Sequence, residues 1–439
     1  MSGVEIGVSS IMLIVVLIYL GLYVPVALGL VSFLGVWIIR QNVDHAVSLL
    51  SEAIADTVAD FVFATIPLFA LMGLLVSKAG FGREVYEVAN TVFYRVRGGL
   101  GIATVAANAV FASITGSSIA SASVFTRVSV PEMRRFNYTA RFSVGVVAGS
   151  SVLGMLIPPS AMLIIYAIVT EQSVGHMFIA GILPGIVLAI AFAILILMLS
   201  YCVPGFVGGR DPKSIESEEW QGLTYGQMFW YLLPVVILVV VVLGGIYGGI
   251  VGPVEAGAAG SLAALILGVV KGRLGWSDLW EVLVDTGHIT ATILFLIISA
   301  SMYSRMLGVA ALPTQFGEWM QGLDLSFTQV MALYVVLLVL LGTILDTASI
   351  ILIVVPLFLP AIEGMGQDLV WFGIVTVVGA EIGLLTPPLG LSCYAIKSTI
   401  DDPDISLYDI FYGAFPFAVM MLLVLVLIIA FPAISLILV

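Results

Sequence analysis

Long uncharged runs of apolar residues constrain this chain more than any other feature of its sequence. Four runs contain no Asp, Glu, Lys or Arg: residues 6–39, 177–209, 220–254 and 410–439. A membrane-spanning helix needs about 20 apolar residues, so several of these runs are long enough for two crossings. Of the 439 residues, 61% are hydrophobic and only 10% are charged, which leaves nothing for a soluble domain. We therefore predict an all-α, polytopic membrane protein.

One apolar stretch contains residues that break helices. The sequence "GSSVLGMLIPP", residues 149–159, lies in an uncharged run that extends from residue 142 to residue 170. A proline in a helix interior costs about 3 kcal/mol, because it removes a backbone donor and clashes with the preceding turn. In hydrocarbon, unpaired peptide groups are tolerated only where they line a protein-buried or water-filled cavity. We therefore predict a broken helix over about 142–170, with a binding site at the break.

The two halves of the chain resemble each other. "YLGLYVPVALG" (residues 19–29) shares Tyr, Gly, Pro, Val and Gly with "YGGIVGPVEAG" (residues 247–257). "GSSVLGMLIPP" is echoed by "GAEIGLLTPP" (residues 379–388), and both are followed by Tyr-Ala-Ile. These matches are collinear at an offset of roughly 230 residues, which indicates an internal duplication. The second half therefore predicts its own broken helix, over about 369–399.

Each half is predicted to cross the membrane five times, so that the second half is inverted relative to the first. Cytoplasmic loops are enriched in Lys and Arg. Of the 15 basic residues, only Arg40 and Arg305 fall on the other side in this arrangement. We therefore predict a first inverted repeat over residues 1–202, a cytoplasmic linker over 203–225 and a second inverted repeat over 226–439, with both termini periplasmic.

Each repeat also contains a segment that is predicted to enter the membrane and turn back. The first, "AANAVFASITGSSIASASVF" (residues 106–125), is rich in small residues and belongs to a predicted re-entrant hairpin over about 99–125. Its counterpart, residues 341–360, belongs to a hairpin over about 329–360. Small residues also allow close packing of helices, and for the first segment this alternative stays open.

Two carboxylates lie in these apolar segments. Asp346 is the one charged residue between 325 and 360, and Glu381 lies next to the second predicted break. A carboxylate at membrane depth costs at least about 2.5 kcal/mol unless it is paired or hydrated. Both residues are therefore candidates for a functional site.

The tips and breaks together resemble a known family. "TGSS" (residues 115–118), "LDTAS" (residues 345–349), the two double-proline breaks and the two-repeat layout resemble the large membrane subunit of tripartite ATP-independent periplasmic (TRAP) transporters. The resemblance covers essentially the whole chain. It implies a sodium-coupled elevator carrier of the ion-transporter type, with a scaffold and a moving transport domain. It also implies a bacterial cytoplasmic (inner) membrane location, a small four-helix membrane (Q) subunit and a soluble periplasmic substrate-binding (P) protein as partners.

The resemblance further implies the site residues. The first sodium site would use the hydroxyl of Thr115 or Ser117 at the hairpin tip and the carbonyls of Gly154, Ile157 and Pro159 at the break. The second site would use Asp346 or Thr347 at the tip, together with Gly383, Thr386 and Pro388. Because "TGSS" has no residue that corresponds to Asp346, the two sites need not be chemically equal. The resemblance implies Na⁺ as the coupling ion, two or more per cycle, and no organic cofactor.

An anionic substrate is expected between the hairpins, where half-helix N-termini and hydroxyls can receive it. The candidate residues are Ser117, Ser118, Ser150, Ser151, Asp346 and Glu381. "LDTAS" is closer to the dicarboxylate branch of the family, so we expect uptake of a C4-dicarboxylate or a related carboxylate delivered by the binding protein.

Two amphipathic connectors, residues 44–61 and 276–288, are predicted to lie along the membrane interface, either as arms of an elevator or as ordinary connectors. Residues 6–20 are predicted to be a retained first span, because the N-terminus lacks the features of a cleaved signal.

Other classes of function are weaker. A stand-alone sodium/dicarboxylate symporter that needs no binding protein is the main alternative, and a passive channel is also conceivable. The three histidines are dispersed and neither HExxH nor GxGD occurs, which argues against an intramembrane protease. A P-loop is also absent. We expect a non-enzymatic protein surrounded by membrane lipid, with no nucleic-acid partner.

Overall fold

A computed structural model describes residues 2–209, 222–322, 326–400 and 402–439, apart from the side chains of residues 112–114 and 321. No β-strand occurs in this part of the chain, and a single β-bridge pairs Tyr138 with Gly208. The all-helical prediction is therefore confirmed.

The described residues of the first half form a series of helices that range from 4 to 29 residues in length. They are α1 (Gly3–Tyr19), α2 (Val24–Arg40), α3 (Val43–Ala59), α4 (Thr65–Lys78, after a 3-10 turn at Phe61–Ala64), α5 (Phe81–Phe93), α6 (Gly99–Thr115), α7 (Ser118–Arg135), α8 (Ala140–Ser151), α9 (Leu153–Leu156), α10 (Ala161–Val169), α11 (Val174–Cys202) and α12 (Pro204–Val207).

The second half contains a similar series. Its helices are α13 (Tyr225–Val239, continued by a π-turn at Val240–Gly244), α14 (Gly245–Tyr247), α15 (Pro253–Val270), α16 (Trp276–Val309), α17 (Leu312–Gly322), α18 (Phe327–Gly342), α19 (Thr347–Gly364), α20 (Leu369–Leu384), α21 (Leu391–Thr399), α22 (Leu407–Ala430) and α23 (Ala433–Leu436).

The lengths of these helices fit a polytopic membrane protein. Among the described residues, 7 helices are long and apolar enough to cross a membrane, or 8 if the bent pair α8–α9 and α10 counts as one span. The ten crossings predicted from the sequence also require α1, α2 and α20 to cross and α19 to turn back. That count, the inverted repeats and the orientation of the termini stay predictions.

Both double prolines interrupt a helix. The segment from Ala140 to Leu156 and the helix Ala161–Val169 are bent by 43° relative to each other. In the second half, α20 ends at Leu384 and α21 begins at Leu391. The Pro158-Pro159 and Pro387-Pro388 bonds are cis. The chain therefore breaks where the prolines cannot continue the helical hydrogen bonds.

We call α6 and α7 the first hairpin, and α18 and α19 the second hairpin. Residues 116–117 form the first tip, and residues 343–346 form the second. The returning helix of each hairpin is capped by a tip residue: Ser117 Oγ accepts from Ala120 N at 3.3 Å, and Asp346 Oδ2 accepts from Ser349 N at 3.2 Å. A cap of this kind contributes about 1 kcal/mol to helix stability.

The helices of the hairpins extend beyond the limits that we predicted. In the first hairpin, α7 continues to Arg135 rather than ending near Phe125. Thr126 and Ser129 do not interrupt it, because their hydroxyls donate to carbonyls one turn back, at 2.6 and 2.7 Å. The second hairpin spans residues 327–364 instead of 329–360.

The two connectors differ from each other. The first is the separate helix α3, whereas residues 276–288 form the beginning of the 34-residue helix α16. Only the first connector is therefore a separate helix, and the placement of both along the membrane interface stays a prediction. No proline interrupts this stretch, and the Thr286 and Thr292 hydroxyls donate to carbonyls within the helix, so nothing ends the helix before the next span. Residues 210–221 of the predicted linker lie outside the described residues.

The helices pack in two groups, each drawn from both halves. In one group, α2, α3, α4, α15 and α16 are neighbours. In the other, α8 packs on α22, and α10 and α11 pack on α20. The contact of α8 with α22 is made by glycines, since a Cβ added at Gly145 would lie 2.2 Å from the Gly413 carbonyl oxygen.

Reciprocal ion pairs join the two halves within the first group. Lys78, at the end of α4, lies 2.6 Å from Glu281 and 3.6 Å from Asp278 in α16. Arg305 in α16 pairs in turn with Asp56 and with Glu52 in α3, the latter at 3.8 Å. Arg305 is one of the two basic residues that the predicted topology does not place in the cytoplasm, and these acidic partners balance its charge.

A more deeply buried charge cluster fixes α5. Glu84 is 3% exposed, and its carboxylate lies 2.7 Å from both Lys271 Nζ and Arg273 Nη2, in the turn after α15. The Arg273 guanidinium also donates to the Ala79 carbonyl at 3.2 Å. Because α5 directly precedes the first hairpin, this cluster fixes the approach of the chain to the hairpin.

Candidate functional site

The first hairpin tip lies in backbone contact with the first helix break. Gly116 has φ +57°, and a Cβ there would lie 2.7 Å from the Pro159 carbonyl oxygen. A Cβ at Gly154 would lie 3.1 Å from the carbonyl carbon and oxygen of Ser117. Glycine is required at Gly116, whose φ is positive, whereas at Gly154 a methyl group would require the tip to shift by a few tenths of an ångström. The structure therefore brings together the tip and the break that the sequence assigned to the first sodium site.

A small cavity of about 150 Å³ opens beside this contact. The tip and the break contribute Thr115, Gly116, Ser117 and Pro159, whereas the opposite wall comes from α4 and α16. A Cβ at Gly73 in α4 would lie 2.9 Å from the Thr115 carbonyl oxygen. The cavity thus lies between the two helix groups, and α4 touches the tip at Gly73.

The second hairpin tip contacts the second break through Thr343. Its carbonyl oxygen accepts from Leu389 N at 3.2 Å and from Gly390 N at 3.3 Å. A Cβ at Gly383 would lie 2.4 Å from the Cα of Gly342. Both tips are therefore held on a break by glycine contacts and main-chain groups.

The other residues assigned to the second sodium site differ in their hydrogen bonds and in their exposure. Thr386 donates its N–H to the Gly383 carbonyl at 2.9 Å and its hydroxyl to the Ile382 carbonyl at 2.8 Å. Asp346 accepts from the Ser349 amide and hydroxyl, one turn further along α19. Pro388 is exposed, whereas Pro159 in the first break is buried. The two predicted sites therefore differ in their access to solvent or lipid.

Glu381 lies between the two tips. It is 2% exposed, and its Oε1 accepts a 2.7 Å hydrogen bond from the Thr347 hydroxyl at the second tip. Ser118, at the first tip, and Asp346 also interact with this carboxylate. Three of the residues predicted to bind substrate are thus brought together by one carboxylate.

Ser150 and Ser151 have a different environment. Both are fully buried, and their hydroxyls donate to the Val146 and Ala148 carbonyls within α8, at 2.7 and 2.8 Å. Ser150 Oγ also accepts from Asn108 Nδ2 at 2.6 Å. Of the predicted substrate residues, Ser117 is the one that lines the cavity beside the first tip.

Asn108 was missed by the sequence analysis. It is fully buried in α6, and among the described residues its Oδ1 has no hydrogen-bond partner. The available signal was an amide side chain within a segment made mostly of Ala, Ser, Gly and Val.

Comparison with known proteins identifies the family of this chain. Residues 11–434 match the model of the family described as the tripartite ATP-independent periplasmic transporter, DctM component. This chain belongs to that family. The resemblance found in the sequence is therefore confirmed, and the chain is a TRAP large membrane subunit.

Relatives of this TRAP large subunit transport different compounds. It is 31% identical over 392 residues to the C4-dicarboxylate TRAP transporter large permease protein DctM of Pseudomonas aeruginosa, with 89% of each chain covered. It is 29% identical over 416 residues to the sialic acid TRAP transporter large permease protein SiaM of Vibrio cholerae, with 94% of each covered. These relatives are permeases rather than enzymes.

Two solved structures resemble the TRAP large subunit in fold. The Alcanivorax borkumensis YdaH transporter superposes with a TM-score of 0.61 at 14% identity, covering 88% of both chains. Neisseria gonorrhoeae MtrF superposes with a TM-score of 0.58 at 10% identity, covering 88% of this chain and 84% of the other. Identities this low show a shared fold alone.

Proposed function

We propose that this large subunit carries out sodium-coupled uptake of a small organic anion across the bacterial inner membrane. The observation that carries the proposal is the seating of each hairpin tip on a helix break, through Gly154 and Ser117 in the first half and Thr343 with Gly390 in the second. Interrupted helices leave carbonyl oxygens that can bind a hard monovalent cation.

The sodium ligands proposed at each tip are the ones that the family resemblance implies. At the first tip they are Thr115, Ser117, Gly154, Ile157 and Pro159. At the second they are Asp346, Thr347, Gly383, Thr386 and Pro388. Because sodium and substrate would bind near the same tips, each would increase the affinity for the other.

An elevator movement is proposed for the two helix groups. The group containing α2, α3, α4, α15 and α16 would be the static scaffold, and the hairpins with the broken helices would be the transport domain. Support comes from the cavity beside the first tip, which has one wall from each group. A transport domain that slides along α4 would change the contact of Gly73 with Thr115.

The proposed substrate is a C4-dicarboxylate or a related carboxylate, in keeping with the "LDTAS" tip and the relative in Pseudomonas aeruginosa that is named for C4-dicarboxylates. The proposed partners are a small four-helix membrane subunit and a periplasmic binding protein. The description of the family as tripartite supports these partners and favours this function over a stand-alone symporter.

Reconstitution tests the proposal. Proteoliposomes containing the large and small subunits, supplied with the binding protein and an inward sodium gradient, should accumulate labelled succinate. Replacing sodium with potassium should abolish uptake, and sialic acid serves as the matched comparison substrate. Uptake that is indifferent to sodium would contradict the proposed coupling, and strong uptake by the isolated large subunit would favour the stand-alone symporter.

A further inference from the structure

A cavity of about 490 Å³ lies between α5 and α7 and is bordered by Leu223, two residues before α13. Most of the side chains that line it are polar or charged. None of these described residues lines the cavity beside the first tip, so the two cavities are separate. Pockets that hold small ligands are typically about 300–1,000 Å³, so this cavity is large enough for one.

The charges that line this cavity leave one cation unpaired. Two basic and two acidic side chains contribute to the lining: Arg83, Arg127, Glu87 and Glu132. Arg83 pairs with Glu87 at 3.0 Å, and Glu132 lies 4.0 Å from Arg135, which is outside the cavity. Within the described parts of the chain, Arg127 makes no ion pair, hydrogen bond or ring contact. Its guanidinium is therefore available to an anionic ligand.

Asn90, in α5, provides a second free donor in the same cavity. It is 6% exposed, and its amide makes no hydrogen bond to another described residue. The neighbouring Thr91 hydroxyl is already engaged, because it donates to the Glu87 carbonyl at 2.9 Å and accepts from Leu223 N at 3.4 Å. A buried polar group without a partner is costly, so a ligand that binds the Asn90 amide would remove this cost.

Exposed aromatic side chains next to the cavity indicate its level in the membrane. Tyr225, Phe229 and Trp230 are exposed in α13, which packs on α5. Aromatic side chains of this kind are enriched where the membrane meets water. The cavity therefore lies close to the level of the phospholipid headgroups, and basic pockets at that level bind their phosphates.

We propose that this cavity binds a phosphate ester that carries a hydroxyl group near its phosphate. Arg127 and Asn90 donate to the phosphate oxygens, and a guanidinium matches phosphate geometry well. The ligand is either the headgroup of a phospholipid or a soluble ester of the same chemistry, such as glycerol 3-phosphate. The site shares no residue with the proposed sodium sites, so it does not depend on sodium coupling.

The acidic side chains explain why the ligand needs a hydroxyl. Glu87 and Glu132 would repel an anion that has no donor of its own. Glu132 has only the distant Arg135 as an ionic partner among the described residues, so its carboxylate can accept from a ligand hydroxyl. A phosphate with a neighbouring hydroxyl satisfies Arg127 and Glu132 together.

A ligand at this position would join two helices of different roles. Asn90 lies in α5, whereas Arg127 lies in α7, the returning helix of the first hairpin. A phosphate held by both side chains would therefore fix that helix against α5. The site would give the membrane, or a soluble phosphate ester, a means of influencing the position of the first hairpin.

Lipid titrations of the full-length chain, purified with its small subunit, test the proposal. Native mass spectrometry gives the dissociation constant of the first bound phosphatidylglycerol. Phosphatidylmethanol is the matched lipid, because it has the same charge but no headgroup hydroxyl. The parent should bind phosphatidylglycerol about five- to tenfold more tightly than phosphatidylmethanol, since the latter cannot donate to Glu132.

Three variants locate the bound lipid. Arg127→Gln should weaken binding of phosphatidylglycerol about tenfold, and Asn90→Ala about three- to fivefold, through lost hydrogen bonds to phosphate. Arg134→Gln is the matched control. Arg134 is an exposed arginine in α7 outside the cavity, and its guanidinium donates to the Tyr138 carbonyl at 3.1 Å. This control should bind phosphatidylglycerol as the parent does. Because Arg127 is also exposed, Arg127→Gln decides the matter if Asn90→Ala does not fold.

Calorimetric titration of the same complex with glycerol 3-phosphate distinguishes the two sources of the ligand. Binding that Arg127→Gln weakens would support a soluble ester, whereas no binding beside tight phosphatidylglycerol binding would support a lipid headgroup. Three results would overturn the proposal. They are the parental affinity for both ligands in Arg127→Gln, an equal loss in Arg134→Gln, and equal affinities of the parent for the two lipids without binding of glycerol 3-phosphate.

Discussion

Gly154 lies against the main chain of Ser117, so that the first helix break and the first hairpin tip meet without an intervening side chain. A Cβ at Gly154 would lie 3.1 Å from the Ser117 carbonyl carbon and oxygen. At this distance the tip must shift by a few tenths of an ångström to accept even a methyl group. The contact therefore couples the geometry of the break to the position of the tip hydroxyls.

Gly154→Ala should raise the half-maximal sodium concentration for uptake and lower substrate affinity together. The shift displaces the proposed ligands at the tip, and the strain itself should cost about 1–3 kcal/mol of stability. Gly101→Ala is the matched control, because a Cβ there would lie at a similar distance, 3.0 Å, from the Phe142 ring, at the other end of α6 from the tip. An unchanged sodium response in Gly154→Ala, with only a lower melting temperature, would mean that the glycine serves packing alone.

Asp346 has a capping role and a proposed ion-binding role, and two substitutions separate them. Asp346→Asn keeps the cap of α19 but removes the charge, so it should weaken sodium binding with little loss of stability. Asp368→Ala removes the cap of α20, where Asp368 Oδ1 accepts from Val370 N at 2.8 Å. It should cost about 1 kcal/mol and leave sodium binding unchanged. Sodium titrations monitored by thermal unfolding measure both, and equal sodium responses in the two variants would exclude an ionic role for Asp346.

Thr115→Ala removes a tip hydroxyl that donates to the Phe111 carbonyl at 3.2 Å within its own helix. Because Thr115 also lines the cavity beside the first tip, loss of its hydroxyl should raise the half-maximal sodium concentration about three- to tenfold. Thr91→Ala, which removes a similar hydroxyl bonded within α5, should have no effect on sodium. A sodium response in Thr115→Ala equal to that of the parent would remove Thr115 from the proposed ligands.

Glu84 and Glu281 both pair with basic side chains, but Glu84 is buried and Glu281 is exposed. Glu84→Gln leaves Lys271 and Arg273 without their buried partner and should lower stability by about 3 kcal/mol. Glu281→Gln affects an ion pair in which the acid is 58% exposed, and should cost less than about 1 kcal/mol. The melting temperatures of the two variants are measured in the same detergent. Equal melting temperatures would contradict this prediction.

Cysteine labelling tests the orientation of the chain. Cys202 is exposed and Cys393 is buried, so Cys202→Ser gives the background for the experiment. A cysteine at Ile215, in the segment between the halves, should react with an impermeant reagent only after the cytoplasmic side is opened. A cysteine at Val439 should react in intact cells. Reaction at Ile215 from outside would overturn the predicted topology.

The sequence alone determined the class of protein, the positions of the helix breaks and the caps at the hairpin tips. Uncharged runs fix a polytopic helical protein, because a membrane interior tolerates few charges and few unpaired peptide groups. The double prolines place the breaks for a covalent reason, since proline cannot donate a backbone hydrogen bond. Ser117 and Asp346 mark helix starts, because capping depends on residues only a few positions apart.

Tertiary packing decided which of these local features meet. The sequence proposed Ser150 and Ser151 beside Ser117, yet packing encloses both serines in α8 and leaves Ser117 at the cavity. It likewise joined Lys78 to Glu281, 203 residues away, and placed Glu381 between tips from opposite halves. Such contacts depend on how helices pack against one another, and periodicity and composition carry no information about which distant side chains become neighbours.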